Sequence, residues 1–213
     1  MQTRIQRPLQ RIIEEIGDSA GVFVLGCGDC ASREHFGGPD ECRELAEQLT
    51  DAGITVTGWG APPEGGSTCN LHVAKALVAD HAAEVAAADT VVMLACPQGL
   101  EAVSRAVGDR RVVNGIHTIA GDQTAGGAWD VSSCGFCSEC IAGLTDGLCP
   151  HAYCPKGLLN GPCGGAQGGR CEVFPSRRCV WELIYHRLRR VGRLDVLERY
   201  NEPADFGVGR DED

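Results

Sequence analysis

The sequence is short of positive charge. Lys and Arg number 19 against 29 Asp and Glu, a formal net charge of −10, and aromatic residues make up only 5%. Nucleic-acid binding needs a basic footprint, so no nucleic-acid partner is expected. A surface of this sign would also repel anionic lipid. No apolar run reaches the roughly 18 residues of a membrane span, and the most apolar stretch, 90–96, is only strand-length. The opening MQTRIQRPLQRIIEEIGDSA carries charges throughout and has no apolar signal-peptide core. These absences predict a cytoplasmic protein with no membrane insertion.

Familiar catalytic patterns are missing too. There is no Ser-His-Asp arrangement, no paired-carboxylate motif and no phosphate loop. The first glycine-rich loop, GCGDCA, lacks a G-x-G-x-x-G that opens a helix, and lacks the Ser or Thr run that would hold a flavin phosphate. It has thiols where a phosphate cradle would be.

What the chain does have is cysteine, 13 in 213 residues. In a reducing compartment that number argues for metal or redox chemistry over a disulfide framework, and an odd count cannot pair off completely. Eight fall between 134 and 179, spaced C-x2-C-x2-C-x8-C-x4-C-x8-C-x7-C-x7-C. The glycine-rich chain between them has too few large apolar side chains to hold itself together by burial, so thiolate–metal bonds are the expected tie.

The first 120 residues read as alternating strands and helices. Ile5, Leu9, Ile12, Ile13 and Ile16 form one apolar stripe and predict an amphipathic helix over 4–16, docked on the chain's own core. Strands follow at 21–26, 54–59, 90–96 and 111–119, with helices at 39–52, 71–88 and 99–107 between them. This order predicts an α/β fold with a parallel sheet of flavodoxin-like or Rossmann-like type. A polar linker at 121–131 would separate an α/β domain (1–125) from a small cysteine-rich, metal-stapled domain (126–213). That second part would contain a helix at 177–190, with Val180, Trp181, Ile184 and Leu188 on one side, and a disordered charged tail from 201.

Two metal constellations are expected. Cys27 and Cys30 follow the first strand, Cys69 precedes a helix, and Cys96-Pro97 ends the third strand. In an open parallel sheet these positions share the crevice beyond the carboxyl ends of the strands. Four thiolates suit a [4Fe–4S] cluster or a structural zinc, and a Cys-Pro ligand is common in ferredoxin-type sites. Cys42, without a spacing partner, reads as core. The second constellation comprises Cys134, Cys137, Cys140, Cys149, Cys154, Cys163, Cys171 and Cys179. Its C-x2-C-x2-C opening is ferredoxin-like, but x8 replaces the final x3. Eight cysteines match two four-ligand sites; the spacing leaves their grouping, and iron against zinc, open.

CPKGLLNGPCGGAQGGRCEV (154–173) followed by CVWELIY (179–185) resembles the C-terminal signature of the MetV-type small subunit of methylenetetrahydrofolate reductase. GCGDCA, Cys69 and Cys96 are similar to that family's N-terminal half. The resemblance implies a non-catalytic subunit that passes electrons through [4Fe–4S] clusters, one N-terminal and up to two C-terminal. They would go to the FAD of a partner catalytic subunit, which reduces 5,10-methylenetetrahydrofolate to 5-methyltetrahydrofolate. The electron donor would be a ferredoxin-like protein or a flavoprotein. Zinc in the C-terminal domain is the alternative, making the chain a scaffold of the reductase; a third reading has a thiolate-bound zinc acting directly in methyl transfer. The chain has no segment of (β/α)8 length for a flavin barrel, so the hydride step must lie on another polypeptide.

His35, His72, His81, His117, His151 and His186 share no spacing and read as surface or core, with His151 the one candidate ligand among them. Lys156 could approach a cluster. Asn160-Gly161-Pro162 signals a turn. Gly164, Gly165, Gly168 and Gly169 are expected at positive φ. Arg187, Arg189 and Arg190 form a basic helix face.

Overall fold

A computed structural model describes residues 4–118, 137 and 140–203. Four parallel strands form its centre: β2 (Val22–Gly26), β3 (Val56–Gly60), β4 (Thr90–Leu94) and β5 (Arg111–Asn114), in the order β3-β2-β4-β5. All of β2, β4 and β5 is buried, which is why they read as continuous apolar runs: a parallel sheet is covered on both faces. Helices α3 (Pro39–Asp51), α4 (Leu71–Asp80), α5 (Ala82–Ala87) and α6 (Pro97–Ala106) lie between the strands in sequence. The architecture is α/β and Rossmann-like, with the flavodoxin type of strand order. No helix among the described residues is long and apolar enough to cross a membrane.

The first helix is shorter than its apolar stripe predicts. α1 runs Leu9–Ile16, while Arg4–Gln6 form a short strand, β1. Pro8 is the reason, because the residue before a proline is pushed out of the helical region, and Arg7 therefore cannot continue a helix from Ile5. Ile12 and Ile16 are fully buried in the main core, as the stripe requires. The predicted strand 111–119 is likewise divided at Gly115 into β5 and β6 (Ile116–Thr118). β6 leaves the parallel sheet and pairs antiparallel with β1, Arg4 opposite Thr118. The helix expected over 71–88 breaks at His81, whose ring packs on Phe23 at 5.4 Å.

Beyond the sheet, the cysteine-rich part holds a short helix, α7 (Pro150–Tyr153), which its glycine content had hidden, and α8 (Val180–Arg190). Trp181, Ile184 and Leu188 on α8, with Val196, make a second small core. Ala142 belongs instead to the first core, and Cys140 and Cys149 pack against it. The linker at 121–131, the division at 125/126 and most of the tail fall outside the described residues.

The two cores are joined by charge. Arg187, expected on a solvated basic face, is instead only 12% exposed and packs on buried Asp146: its Nε donates to the Asp146 carbonyl at 2.7 Å and lies 2.5 Å from Oδ2, while a second nitrogen reaches the Ser104 carbonyl on α6. Asp146 Oδ1 accepts from the β5 amide of Val112 at 3.0 Å. Arg190 pairs with Asp109 at 2.7 Å near the surface. The Tyr153 hydroxyl donates to the Glu101 carboxylate on α6 at 2.9–3.0 Å, which together with burial pushes the phenol pKa upward. Removing one partner of a buried pair strands the other charge. Arg187→Ala should therefore lower unfolding stability by about 3–5 kcal/mol in urea denaturation; a loss under about 1 kcal/mol, the range of an exposed pair, would contradict the placement.

Candidate metal centres

The strand order reverses between β2 and β4, and their carboxyl ends flank one crevice. Cys27 follows β2 directly, Cys30 opens the short helix α2 (Cys30–Arg33), Cys96 caps α6 with Pro97 at its first position, and Cys69 lies in the loop before α4. The structure brings these four together. Cys27 interacts with Cys30, and Cys30 with Cys96. Cys69 faces the charges of Cys27 and Cys30; burial and that repulsion push it up to about 11. Cys27 is driven upward by its bond to Cys30 and by burial. For Cys30 the Cys27 thiol acts downward, but Cys96 and burial prevail and the net shift is upward.

Local backbone geometry serves the thiols. Amide groups of Asp29 and Thr68 favour the Cys27 thiolate, and Cys27 N is itself bonded to Gly37 O at 2.7 Å. Gly28 is where the β2 loop presses on the loop before α4: a Cβ there would lie 2.3 Å from Pro63 O and 2.5 Å from Pro62 O. Thr68 is fully buried beside Cys27. The Ser67 hydroxyl meets Asp29 Oδ2 at 2.5 Å, closing the rim. Cys42 is core as expected, with its thiol toward Gly60 O at 3.8 Å.

One contributor carried no sequence signal. Arg4 is 2% exposed, and its guanidinium donates to Cys30 Sγ at 3.1 Å and Cys30 O at 3.3 Å while pairing with Glu34 at 2.8 Å. Position 4 looks like an ordinary charged residue near a terminus; only the β1–β6 pairing turns it inward.

The remaining cysteines fall into two groups. Cys137, Cys140 and Cys149 face one another electrostatically, and burial is the main force pushing Cys149 up to about 12. Amide groups of Ala152 and His151, in the first turn of α7, favour the Cys149 thiolate. Asn114, at the carboxyl end of β5, donates through Nδ2 to Cys140 O at 3.4 Å, so this group lies beyond the strand next to β4. Cys134 is outside the described residues. The second group, Cys154, Cys163, Cys171 and Cys179, lines one small cavity with Tyr153, Lys156 and Trp181. Cys179 caps α8, and its amide donates to Gly169 O at 2.8 Å. Gly164, Gly168 and Gly169 have positive φ, and Gly165 does not.

Lys156 Nζ lies 2.6 Å from Glu172 Oε2, which accepts from the Cys163 thiol at 3.3 Å. The histidines behave as surface or packing groups, except that His151 Nε2 is buried without a partner. Every described cysteine is a free thiol. Among the described residues no three His, Cys, Asp or Glu side chains converge tightly enough for a single metal ion. The donor set is all sulfur, and it fits a soft metal or an iron–sulfur cluster better than a hard oxygen-seeking cation.

Exposure separates the thiols chemically. In metal-free protein at neutral pH, iodoacetamide should label exposed Cys163 at least tenfold faster than fully buried Cys42, followed by peptide mass spectrometry. Equal rates would contradict the burial pattern.

Comparison with known proteins reaches the C-terminal half. Residues 114–207 match the family described as methylene-tetrahydrofolate reductase C terminal. The match spans both C-terminal cysteine groups and covers less than half of the chain. No curated protein and no solved structure matches. The matched segment relates this protein to methylenetetrahydrofolate reductases.

Proposed function

We propose that this chain is the small electron-transfer subunit of a methylenetetrahydrofolate reductase, carrying electrons to the FAD of a partner catalytic subunit that forms 5-methyltetrahydrofolate. What carries the reading is the meeting of Cys27, Cys30, Cys69 and Cys96 at the sheet's switch point, in a chain whose C-terminal segment is related to such reductases. These four would hold one [4Fe–4S] cluster, and Cys137, Cys140 and Cys149, with Cys134 as fourth ligand, a second. A bound cluster supplies one-electron transfer.

The protein's own part is to hold the sulfurs and exclude water. The crevice walls are Cys27, Cys69 and Cys96, each under 10% exposed. The group of Cys137, Cys140 and Cys149 borders β5, the strand next to β4, so the two cluster sites would neighbour each other at the carboxyl ends of the sheet, as a relay requires. The donor would be a ferredoxin-like protein or a flavoprotein.

For Cys154, Cys163, Cys171 and Cys179 zinc is the competing occupant. They enclose a small cavity within tight glycine turns, the setting of a closed structural site. Zinc there is compatible with electron transfer through the other two groups; zinc at every site would make the chain a scaffold.

The test is transfer itself. Dithionite-reduced protein, freed of excess reductant and mixed anaerobically with the flavin-containing reductase subunit, should bleach the flavin absorbance. Cys96→Ser should slow that bleaching at least tenfold. Flavin reduction that ignores both the added protein and the substitution would sink the proposal.

A further inference from the structure

Arginine is rarely buried without a reason, since taking a guanidinium out of water is costly unless it is paired. Among the described residues Arg4 pairs with Glu34, whose side chain is 28% exposed. That pair could have formed at the surface. Instead the β1–β6 ribbon carries Arg4 inward, where Nη2 reaches the sulfur of Cys30 at 3.1 Å and Nη1 its carbonyl at 3.3 Å. The other nearby cation, Arg33, is 73% exposed and occupied by Asp29, so water screens it.

We infer that Arg4 sets the reduction potential of the group bound by Cys27, Cys30, Cys69 and Cys96, by donating a charged hydrogen bond to the Cys30 sulfur. This rests on the iron–sulfur reading of that crevice. The physical sense is fixed. Reduction adds negative charge to the cluster and its sulfurs, and a buried cation in hydrogen-bond contact with one ligand stabilises the reduced form more than the oxidised form. Arg4 therefore raises the potential. Glu34, partly in water, offsets that charge only in part, and so acts in the opposite direction through Arg4. Lysine could supply the charge but not the fork that spans Cys30 Sγ, Cys30 O and Glu34 together.

The experiment is an anaerobic redox titration of the full chain followed by EPR, the N-terminal signal being the one that Cys96→Ser abolishes. Arg4→Gln should make the one-electron reduction equilibrium at least tenfold less favourable, a negative shift of about 59 mV or more. Arg4→Lys should recover part of it, and Glu34→Gln should shift the midpoint positively. Midpoints unchanged in Arg4→Gln and Glu34→Gln, with iron content intact, would overturn the inference and leave the cluster reading standing. If Arg4→Gln fails to fold, Glu34→Gln decides alone, and a zero or negative shift there overturns it. Wild-type protein without an iron signal sensitive to Cys96→Ser would overturn the cluster reading and this inference with it.

Discussion

Four parallel strands ordered β3-β2-β4-β5 have one place where neighbouring connections leave in opposite directions, between β2 and β4. The backbone cannot fill that gap, because the loops from the two strands diverge around it. In this chain the gap is lined by sulfur. Cys27 and Cys96 come from its two flanking strands, Cys30 from the helix after one of them, and Cys69 from the next loop across. The rest of the structure leans on this arrangement: β1 and β6 pair outside the sheet and carry Arg4 to Cys30, and the Pro62–Pro63 turn is held against Gly28.

Clustered thiols in a dry crevice oppose each other's ionisation, as the upward shifts at Cys27, Cys30 and Cys69 record. Cationic iron or zinc would relieve that opposition, coupling metal binding to the stability of the loops that carry the ligands. The C-terminal part has a different balance. Its core is small, built on Trp181, Ile184 and Leu188, and it is moored to the sheet by Arg187–Asp146 and Tyr153–Glu101. Its loops are tied by polar contacts, among them Trp181 Nε1 to Leu158 O, the Asn160–Asn201 pair and Lys156–Glu172.

Much of the fold was readable in the residues. The runs GVFVLG and TVVMLAC predict strands within one or two residues of where they lie, because a parallel strand buried on both faces leaves an uninterrupted apolar record. The crevice cysteines were legible for a topological reason: each follows or precedes an element whose end must lie on the same edge. Other features were not. Pro8 cuts the first helix by a backbone effect that an apolar stripe does not register, and Gly115 splits one strand into two with different partners. Arg187 has the sequence context of a solvated helix face and is a largely shielded strut onto buried Asp146. Cysteine spacing alone could not divide 134–179; only folding sets Cys137, Cys140 and Cys149 apart from the cavity lined by Cys154, Cys163, Cys171 and Cys179.

Iron, zinc and acid-labile sulfide per chain on anaerobically purified protein test the proposed clusters most directly. About eight to twelve irons with matching sulfide are expected, or about eight with one zinc if the last four cysteines hold that metal. Zinc at two or three per chain with negligible iron and sulfide would contradict the proposal, and would make the protein a metal-stapled scaffold.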